Sequence, residues 1–536
     1  MFLLVPNLLN YLLTRGIFPL YLKKKNIFHA ALILQFQIVE IFLCREIKMQ
    51  KYFTFIFLFL FLLRNTANAE TIEEFLLKFH NNPSLIMDRL PSTLEEGNIS
   101  PRGFIFENEK LLKEKIQYSN QIRKKLMPAF STAEENSDKP ERIIEPSMVL
   151  KNIIDMDKNG LINIELPTSP WSDSYWPIHK GLIGIRYSDL NFPNTKDWIT
   201  NYNYFLNYPT SNIINSRKIN NLSPAEKYDY IMGDYNFTLT KYSWRQGEYY
   251  QKKYGMVPKW VGICHGWAAA AHMLIPYPNK SQIVKAVNGT SVTLYPQDVK
   301  ALQSMLWANA PPAARFAGKR CTITNPMKSK NGRIIDSSCF DVNPATWHIA
   351  IVNQMGIHKR SFVIDSTYDL QVWNFPLYSF NYRYFNPQTL SVSTNPYTAI
   401  IPIEKFKVDK FSEFRSKDTK YIIGIYMDTT YVKEIQPSQQ LNRKNVTKTV
   451  RYVYDLELDE NKNIIGGEWY SNAHPDFIWT FYSEAQAKAK EDENLINNSW
   501  KKDAPIPSSW TTYAKSASAR GIPLYSFITQ LIDEQN

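Results

Sequence analysis

The sequence predicts a protein of the α+β class in which a helix that carries a cysteine packs on an antiparallel sheet. Capped amphipathic segments predict helices, and alternating apolar runs between about residues 345 and 430 predict strands. Hydrophobic residues make up 44% of the 536 residues and charged residues 21%, as is typical of a globular protein with a substantial core. The aromatic content of 14% favours extensive sheet or an aromatic-lined cleft.

The first 69 residues contain an export signal that begins internally. After Met49 come a lysine, an apolar run at 52–63 and then "ANA", a small-residue cleavage site. The run is shorter than the roughly 20 apolar residues that a membrane span requires. We therefore predict a signal peptide at 49–69, an upstream extension at 1–48 that does not belong to the native protein, and a secreted or periplasmic chain without a stable membrane span. The alternative is that 1–48 contains genuine membrane-associated segments.

The formal net charge of +12 is unevenly distributed. Residues 1–69 carry eight basic and two acidic side chains, a net of +6, which leaves +6 on the rest of the chain. Those remaining basic residues are scattered and form no stripe interleaved with aromatic residues, so we expect no nucleic-acid partner.

Polar and charged residues dominate 70–145. A segment that ends near Pro128 has the periodicity of an amphipathic helix, and a charged linker with two prolines follows it. We expect a helical N-terminal segment that serves as a propeptide or as a docking arm, ahead of a folded region at 146–536.

Residues 152–166 are expected to form a hairpin with its turn at Asn159 and Gly160. Asp155, Asp157 and Asn159 also match the first ligands of an EF-hand loop. The bidentate glutamate of such a loop is missing, because Leu166 occupies its position. The hairpin is therefore favoured over a calcium site.

The remaining elements follow in order along the chain. In "LSPAEKYDYIMGD", Ser223, Pro224 and Glu226 supply an N-cap, a first helical proline and a capping box. Further helices are predicted at "YPQDVKALQSMLWANA" and "PLYSFITQLIDEQ". Strands are predicted at "TWHIAIVNQ", "SFVIDSTY", "TAIIPI" and "YIIGIYMDT", and a hairpin at "VYDLELDENKNIIGGEWY".

Three cysteines remain after the signal peptide. Cys321 and Cys339 flank a polar, glycine-containing segment, and we predict that they form a disulfide. Cys264 is then the single free thiol. It precedes "HGWAAAAHML", whose alanines favour helix, so it should lie in the first helical turn, where the unpaired N–H groups and the helix dipole favour a thiolate. The alternative is a buried structural cysteine.

The two histidines beside Cys264 are poor candidates for its base. His265 points about 100° away from Cys264 around a helix, and His272 lies roughly 12 Å farther along its axis. His348 is the better candidate. If 348–369 forms a hairpin that turns at Gly356 and Ile357, His348 lies opposite Asp365, which can then orient its imidazole.

This order of cysteine, histidine and aspartate resembles the papain-like/transglutaminase core, and several sequence blocks resemble the transglutaminase elicitor family in particular. The blocks run from about residue 165 to the C-terminus and leave 70–145 matching least well: "LSPAEKYDYIMGD", "WVGICHGWAAAAHM", "YPQDVKALQSMLWANA", "CFDVNPATWHIAIVNQMG", "SFVIDSTYDLQVWN" and "IIGGEWYSNAHPDFIW". The resemblance implies a protein-glutamine γ-glutamyltransferase with Cys264, His348 and Asp365 as its triad. It also implies protein substrates with accessible glutamine and lysine side chains, and it leaves calcium open as a cofactor.

Aromatic walls that exclude water would favour an amine over water as the acceptor. Trp260 and Trp267 flank the cysteine and are the candidates, with a place in the core as the alternative for each. Two other classes of function remain open. One is a cysteine peptidase or glutamine deamidase on the same core, and the other is an effector module that binds without catalysis.

Overall fold

The computed structural model describes residues 70–91, 93–94, 138–274, 278–321, 323, 325–366, 372–495, 500–501 and 503–533. The extension at 1–48, the signal peptide at 49–69 and the helix expected before Pro128 lie outside these residues. The chain divides after Thr71, and the fold below belongs to the unit that begins at Ile72. No helix within the described ranges is both long and apolar enough to cross a membrane.

The α-helices, in chain order, are α1 (Ile72–Asn81), α2 (Pro83–Met87), α3 (Ile153–Lys158), α4 (Trp198–Asn207), α5 (Thr210–Asn215), α6 (Pro224–Ile231), α7 (Thr238–Tyr254), α8 (Cys264–Met273), α9 (Pro296–Asn309), α10 (Pro344–Ile351), α11 (Pro396–Ala399), α12 (Trp510–Ser518) and α13 (Tyr525–Asp533). The predicted helices α6, α8, α9 and α13 are confirmed. In α6 the predicted capping box is present, with the Ser223 side chain accepting from the Glu226 N–H and the Glu226 carboxylate accepting from the Ser223 N–H.

The strands are β1 (Thr93–Leu94), β2 (Asn163–Glu165), β3 (Gln282–Lys285), β4 (Ser291–Leu294), β5 (Arg315–Gly318), β6 (Val363–Asp365), β7 (Asn374–Phe385), β8 (Val392–Ser393), β9 (Ile401–Pro402), β10 (Tyr421–Val432), β11 (Thr447–Leu458), β12 (Ile464–Trp469) and β13 (Phe477–Thr480). The main sheet is antiparallel and runs β1-β11-β10-β7-β6-β13-β5, while β3 and β4 form a separate pair. The predicted hairpin near the C-terminus is β11 with β12. The α+β class with a helix on an antiparallel sheet is confirmed.

Two predicted strands are helices instead. Ile153–Lys158 is α3, because the Asn152 side chain accepts hydrogen bonds from the N–H groups of Ile154 and Asp155 and caps the helix. The expected hairpin at 152–166 is therefore wrong in its first half, and Asp155 and Asp157 lie on a helix rather than in a loop.

The second correction concerns "TWHIAIVNQ", which belongs to α10 and the π-helical turn Val352–Ile357. The Asn343 side chain accepts from the Ala345 N–H and Pro344 occupies the first helical position. All eight residues of α10 are buried. A helix that is buried on every side lacks a polar face and hence a clear amphipathic period, so its sequence resembles that of a buried strand.

The described part of the N-terminal segment packs on the sheet at the end of β7 that holds Phe385. Leu76 and Phe79 of α1 form a small core with Phe385, Phe411 and Tyr470, and the Phe79 ring stacks on Tyr470 with centroids 4.4 Å apart. Phe385 ends β7, eleven residues after Asn374 at its start. The core around α1 therefore lies on the order of 35 Å from the start of that strand, at the rise of a strand.

Candidate active site

Cys264 is the first residue of α8, in the position that the sequence predicts. The helix is buried over Cys264–His272 and packs against α9 and β7. Its two neighbouring glycines are needed for close approach: a Cβ on Gly262 would meet the carbonyl oxygen of Tyr175, and one on Gly266 would meet that of Ser304. The helix entry that carries the thiol is therefore held from two sides by backbone.

Several hydrogen-bond donors converge on the Cys264 sulfur. The side-chain Nδ2 of Asn374 lies 3.5 Å from Sγ, and the backbone N–H groups of Asn374 and His265 also point at it. The thiol in turn donates to the carbonyl oxygen of Val372, at 3.7 Å. Burial raises the pKa of the thiol above its ordinary value and outweighs the donors, which lower it. Burial therefore favours the neutral thiol, whereas the converging donors would stabilise the thiolate once it forms.

Asp365 is the carboxylate of this site. It ends β6 directly opposite Asn374 of β7 and accepts a hydrogen bond from the Trp373 N–H at 2.9 Å. Directly opposed residues of an antiparallel pair share a face with Cβ atoms about 5 Å apart, so the carboxylate lies beside the amide that contacts Cys264. Its negative charge also raises the pKa of the Cys264 thiol.

His348 is not part of this cluster, which corrects the predicted hairpin. It lies on α10 rather than on a strand, and Asp365 pairs with Asn374 instead. The His348 ring contacts Tyr382, with centroids 4.7 Å apart, and Tyr382 is eight residues along β7 from Asn374, roughly 26 Å at the rise of a strand. Burial lowers the pKa of His348 to about 3. The structure therefore brings together Cys264 and Asp365 of the predicted triad, but not His348.

His272, in the last turn of α8, has a structural role, as its distance from Cys264 along the helix predicts. Nδ1 of His272 lies 2.8 Å from the carbonyl oxygen of Ala268, and its ring stacks on Phe481. Burial lowers the pKa of His272 to about 4.

The tryptophans predicted to line the cleft lie in the core. Trp267 is fully buried and its indole N–H donates to the carbonyl oxygen of Trp171, while Trp260 is 6% exposed. The half-buried aromatic pair beside the thiol is Tyr175 and Trp373, with ring centroids 5.1 Å apart. Trp373 stands between Val372 and Asn374, both of which contact Sγ.

The sequence patterns do not predict a place in the site for Asn374, Tyr175 or Trp373. The signal that could have found Asn374 and Trp373 is their position, since "VWN" follows the predicted carboxylate strand and returns along it. No comparable local signal marks Tyr175. It lies about ninety residues before Cys264 in the sequence, and its carbonyl oxygen accepts from the Ile263 N–H at the helix entry.

A second buried carboxyl lies near Asp365. Burial, followed by the charges of Asp365 and Asp138, raises the pKa of Asp341 well above its ordinary value.

The predicted disulfide between Cys321 and Cys339 is present, and Cys264 is a free thiol. Within the described ranges, no group of three or more histidine, cysteine or acidic side chains could hold a metal ion.

Fold and site together define an α+β protein in which a cysteine at the start of a helix lies near a carboxylate at the end of a strand of an antiparallel sheet. A profile of the transglutaminase elicitor family matches residues 147–498, more than half of the chain, and the chain belongs to this family. The structure is similar to the crystal structure of the GP42 transglutaminase from Phytophthora sojae, with a TM-score of 0.48 and 18% sequence identity over 75% of this chain and 98% of that one. Comparison with curated proteins finds no match.

Proposed function

We propose that this chain is an exported protein-glutamine γ-glutamyltransferase that joins glutamine and lysine side chains through a thioester on Cys264. The observation that carries the proposal is the convergence of the Asn374 amide and two backbone N–H groups on the Cys264 sulfur, in a member of the transglutaminase elicitor family. Such donors stabilise a thiolate, which is the nucleophilic form of cysteine.

In the first half of the reaction, the sulfur attacks the carboxamide carbon of a glutamine side chain. Asp365 takes up the thiol proton and delivers it to the departing nitrogen, so the C–N bond breaks, ammonia leaves and a thioester remains. Burial and the charge of Asp365 both raise the pKa of the thiol, so moving the thiol proton to Asp365 avoids placing two anions side by side.

In the second half, a lysine amine attacks the thioester. The amine gives a proton to Asp365, the C–S bond breaks and the thiolate regains that proton, while an isopeptide bond remains. Water competes at the same carbon and would give glutamate. Tyr175 and Trp373, beside the thiol, are the side chains placed to keep water out.

Export and calcium belong to the proposal as well. The signal at 49–69 implies a secreted or periplasmic enzyme. Calcium is implied by the family resemblance, but the described residues offer no cluster of ligands for it, so no step above runs through the metal.

The separation of His348 from Cys264 favours a second candidate, an effector module that keeps the fold without the chemistry. In that case the surface rather than the thiol would carry the biological effect, and the Cys264→Ala variant would retain it.

The deciding experiment offers the full-length protein a glutamine-bearing donor protein and a fluorescent primary amine as acceptor, with and without calcium. We expect wild type to incorporate the amine and Cys264→Ala to lose all incorporation. Peptide cleavage or glutamate formation without labelled product would support a peptidase or a deamidase instead. Equal labelling by wild type and Cys264→Ala would contradict the proposed nucleophile.

A further inference from the structure

The side-chain amide of Asn374 is held in one orientation by an indole from a different strand. The Trp479 Nε1 lies 2.8 Å from Asn374 Oδ1, and Asn374 Nδ2 lies 3.5 Å from Cys264 Sγ. Because an indole N–H can only donate, the atom that it meets must be the amide oxygen. The NH₂ group is therefore turned toward the sulfur.

The indole itself has little freedom. Trp479 lies on β13 and is fully buried, and its ring stacks on Phe316 at 5.8 Å and meets Phe481 edge-on at 5.5 Å. Asn374 is 4% exposed, so water cannot readily replace Trp479 as the partner of its oxygen.

We propose that Asn374 is a catalytic residue whose amide donates to the Cys264 thiolate, and that Trp479 is the positioning residue that keeps this amide from rotating. Without the indole, the buried amide could turn its oxygen toward the sulfur, which would place two acceptors together and oppose the thiolate. This inference deepens the proposed function, and the catalytic role of Asn374 rests on it, whereas the positioning of its amide by Trp479 does not.

The experiment measures the rate at which iodoacetamide alkylates Cys264 as a function of pH, with the modified peptide identified by mass spectrometry. Loss of the hydrogen bond from the amide to the thiolate should move the midpoint of this profile upward by about one pH unit. We expect this shift in Trp479→Phe and in Asn374→Ala. The double variant should shift no further than Asn374→Ala alone, because Trp479 acts through Asn374.

Trp510→Phe is the matched control. Trp510 is 1% exposed, and its indole N–H has no hydrogen-bond partner in the described part of the chain. Its substitution removes a buried indole without touching the site, so the midpoint should stay at the wild-type value.

An unshifted midpoint in Asn374→Ala overturns the inference, and this variant decides the matter alone if Trp479→Phe fails to fold. A Trp479→Phe shift that persists at full size in the Asn374→Ala background overturns the positioning role. Shifted midpoints in a protein that shows no amine incorporation would remove the proposed function and the catalytic role of Asn374, and would support the positioning of its amide by Trp479.

Discussion

Nδ1 of His348 lies 2.8 Å from the hydroxyl oxygen of Tyr454. The pair is buried between α10 and the sheet, and the Tyr382 ring lies against the same imidazole. The histidine is therefore held neutral in the core, and its proton equilibrium is coupled to folding.

We expect His348 to make the protein less stable in acid. Its pKa falls to about 3 on folding, from an ordinary value of about 6.5, because burial opposes the charged form. Between these two values the unfolded chain binds a proton that the folded chain does not, so the stability contributed above pH 6.5 is lost as the pH falls toward 3.

The loss should amount to about 1.4 kcal/mol per pH unit for this one group. Chemical denaturation of wild type and His348→Gln between pH 6.5 and 4 measures it, and the variant should show the shallower dependence of unfolding free energy on pH. Identical slopes would show that His348 is not buried as a neutral ring.

Asp365→Asn should separate the two effects of that carboxylate. Removing its charge should move the alkylation midpoint of Cys264 downward, since the charge raises the pKa of the thiol. Amine incorporation should nevertheless fall by a factor of about 100 or more, the usual contribution of an acid–base group.

Asp155→Asn is the control for that substitution, because Asp155 lies on α3 in a surface ion pair with Lys158. A variant of Asp365 that transfers at the wild-type rate would rule out its role as the proton acceptor. If His348→Gln lost transfer instead while keeping its fold, the base would have to reach the thiol through a movement of α10.

The helix that carries Cys264 could be predicted because its signals are local. Alanines, two glycines and a cysteine at the helix entry depend on neighbouring residues only, and the capping box of α6 is equally local. The disulfide followed from counting cysteines.

The partner of Cys264 could not be predicted in this way. The sequence pattern predicts a strand at His348 because most of its neighbours are apolar, whereas an Asn-Pro cap and burial on all sides make that segment a helix. The register of β6 with β7, which sets Asn374 opposite Asp365, depends on a connection whose length the sequence pattern does not reveal.

Trp373→Ala should change the fate of the thioester. The indole lies beside the thiol with Tyr175, so its removal should admit water and raise the ratio of glutamate to isopeptide product severalfold. Mass spectrometry of the glutamine substrate gives both products from one reaction.

Trp267→Phe is the comparison for this variant. Trp267 is buried in the core with its indole N–H on the Trp171 carbonyl oxygen, so its substitution should lower stability and leave the product ratio unchanged. A ratio that changes in Trp267→Phe and not in Trp373→Ala would return the water barrier to the tryptophan predicted from the sequence.

Gly266→Ala should raise the helix propensity of α8 but disturb its packing against α9, and these two effects on stability have opposite signs. In an exposed helix this substitution stabilises by about 1 kcal/mol. In α8 the added methyl group would meet the Ser304 carbonyl oxygen and the Ala308 backbone of α9, so we expect the free energy of unfolding to fall by about 1–3 kcal/mol. The same displacement of α8 should alter the alkylation profile of Cys264, because the helix entry positions the sulfur.

Gly160→Ala provides the contrast, because Gly160 has a φ of +68° with no atom within 4 Å of an added Cβ. Its cost is backbone strain of about 1 kcal/mol, without any effect on the thiol. Thermal denaturation and alkylation of both variants distinguish the two causes. A Gly266→Ala protein more stable than wild type, with an unchanged alkylation profile, would mean that α8 and α9 are not in the close contact that places Cys264 against Asn374.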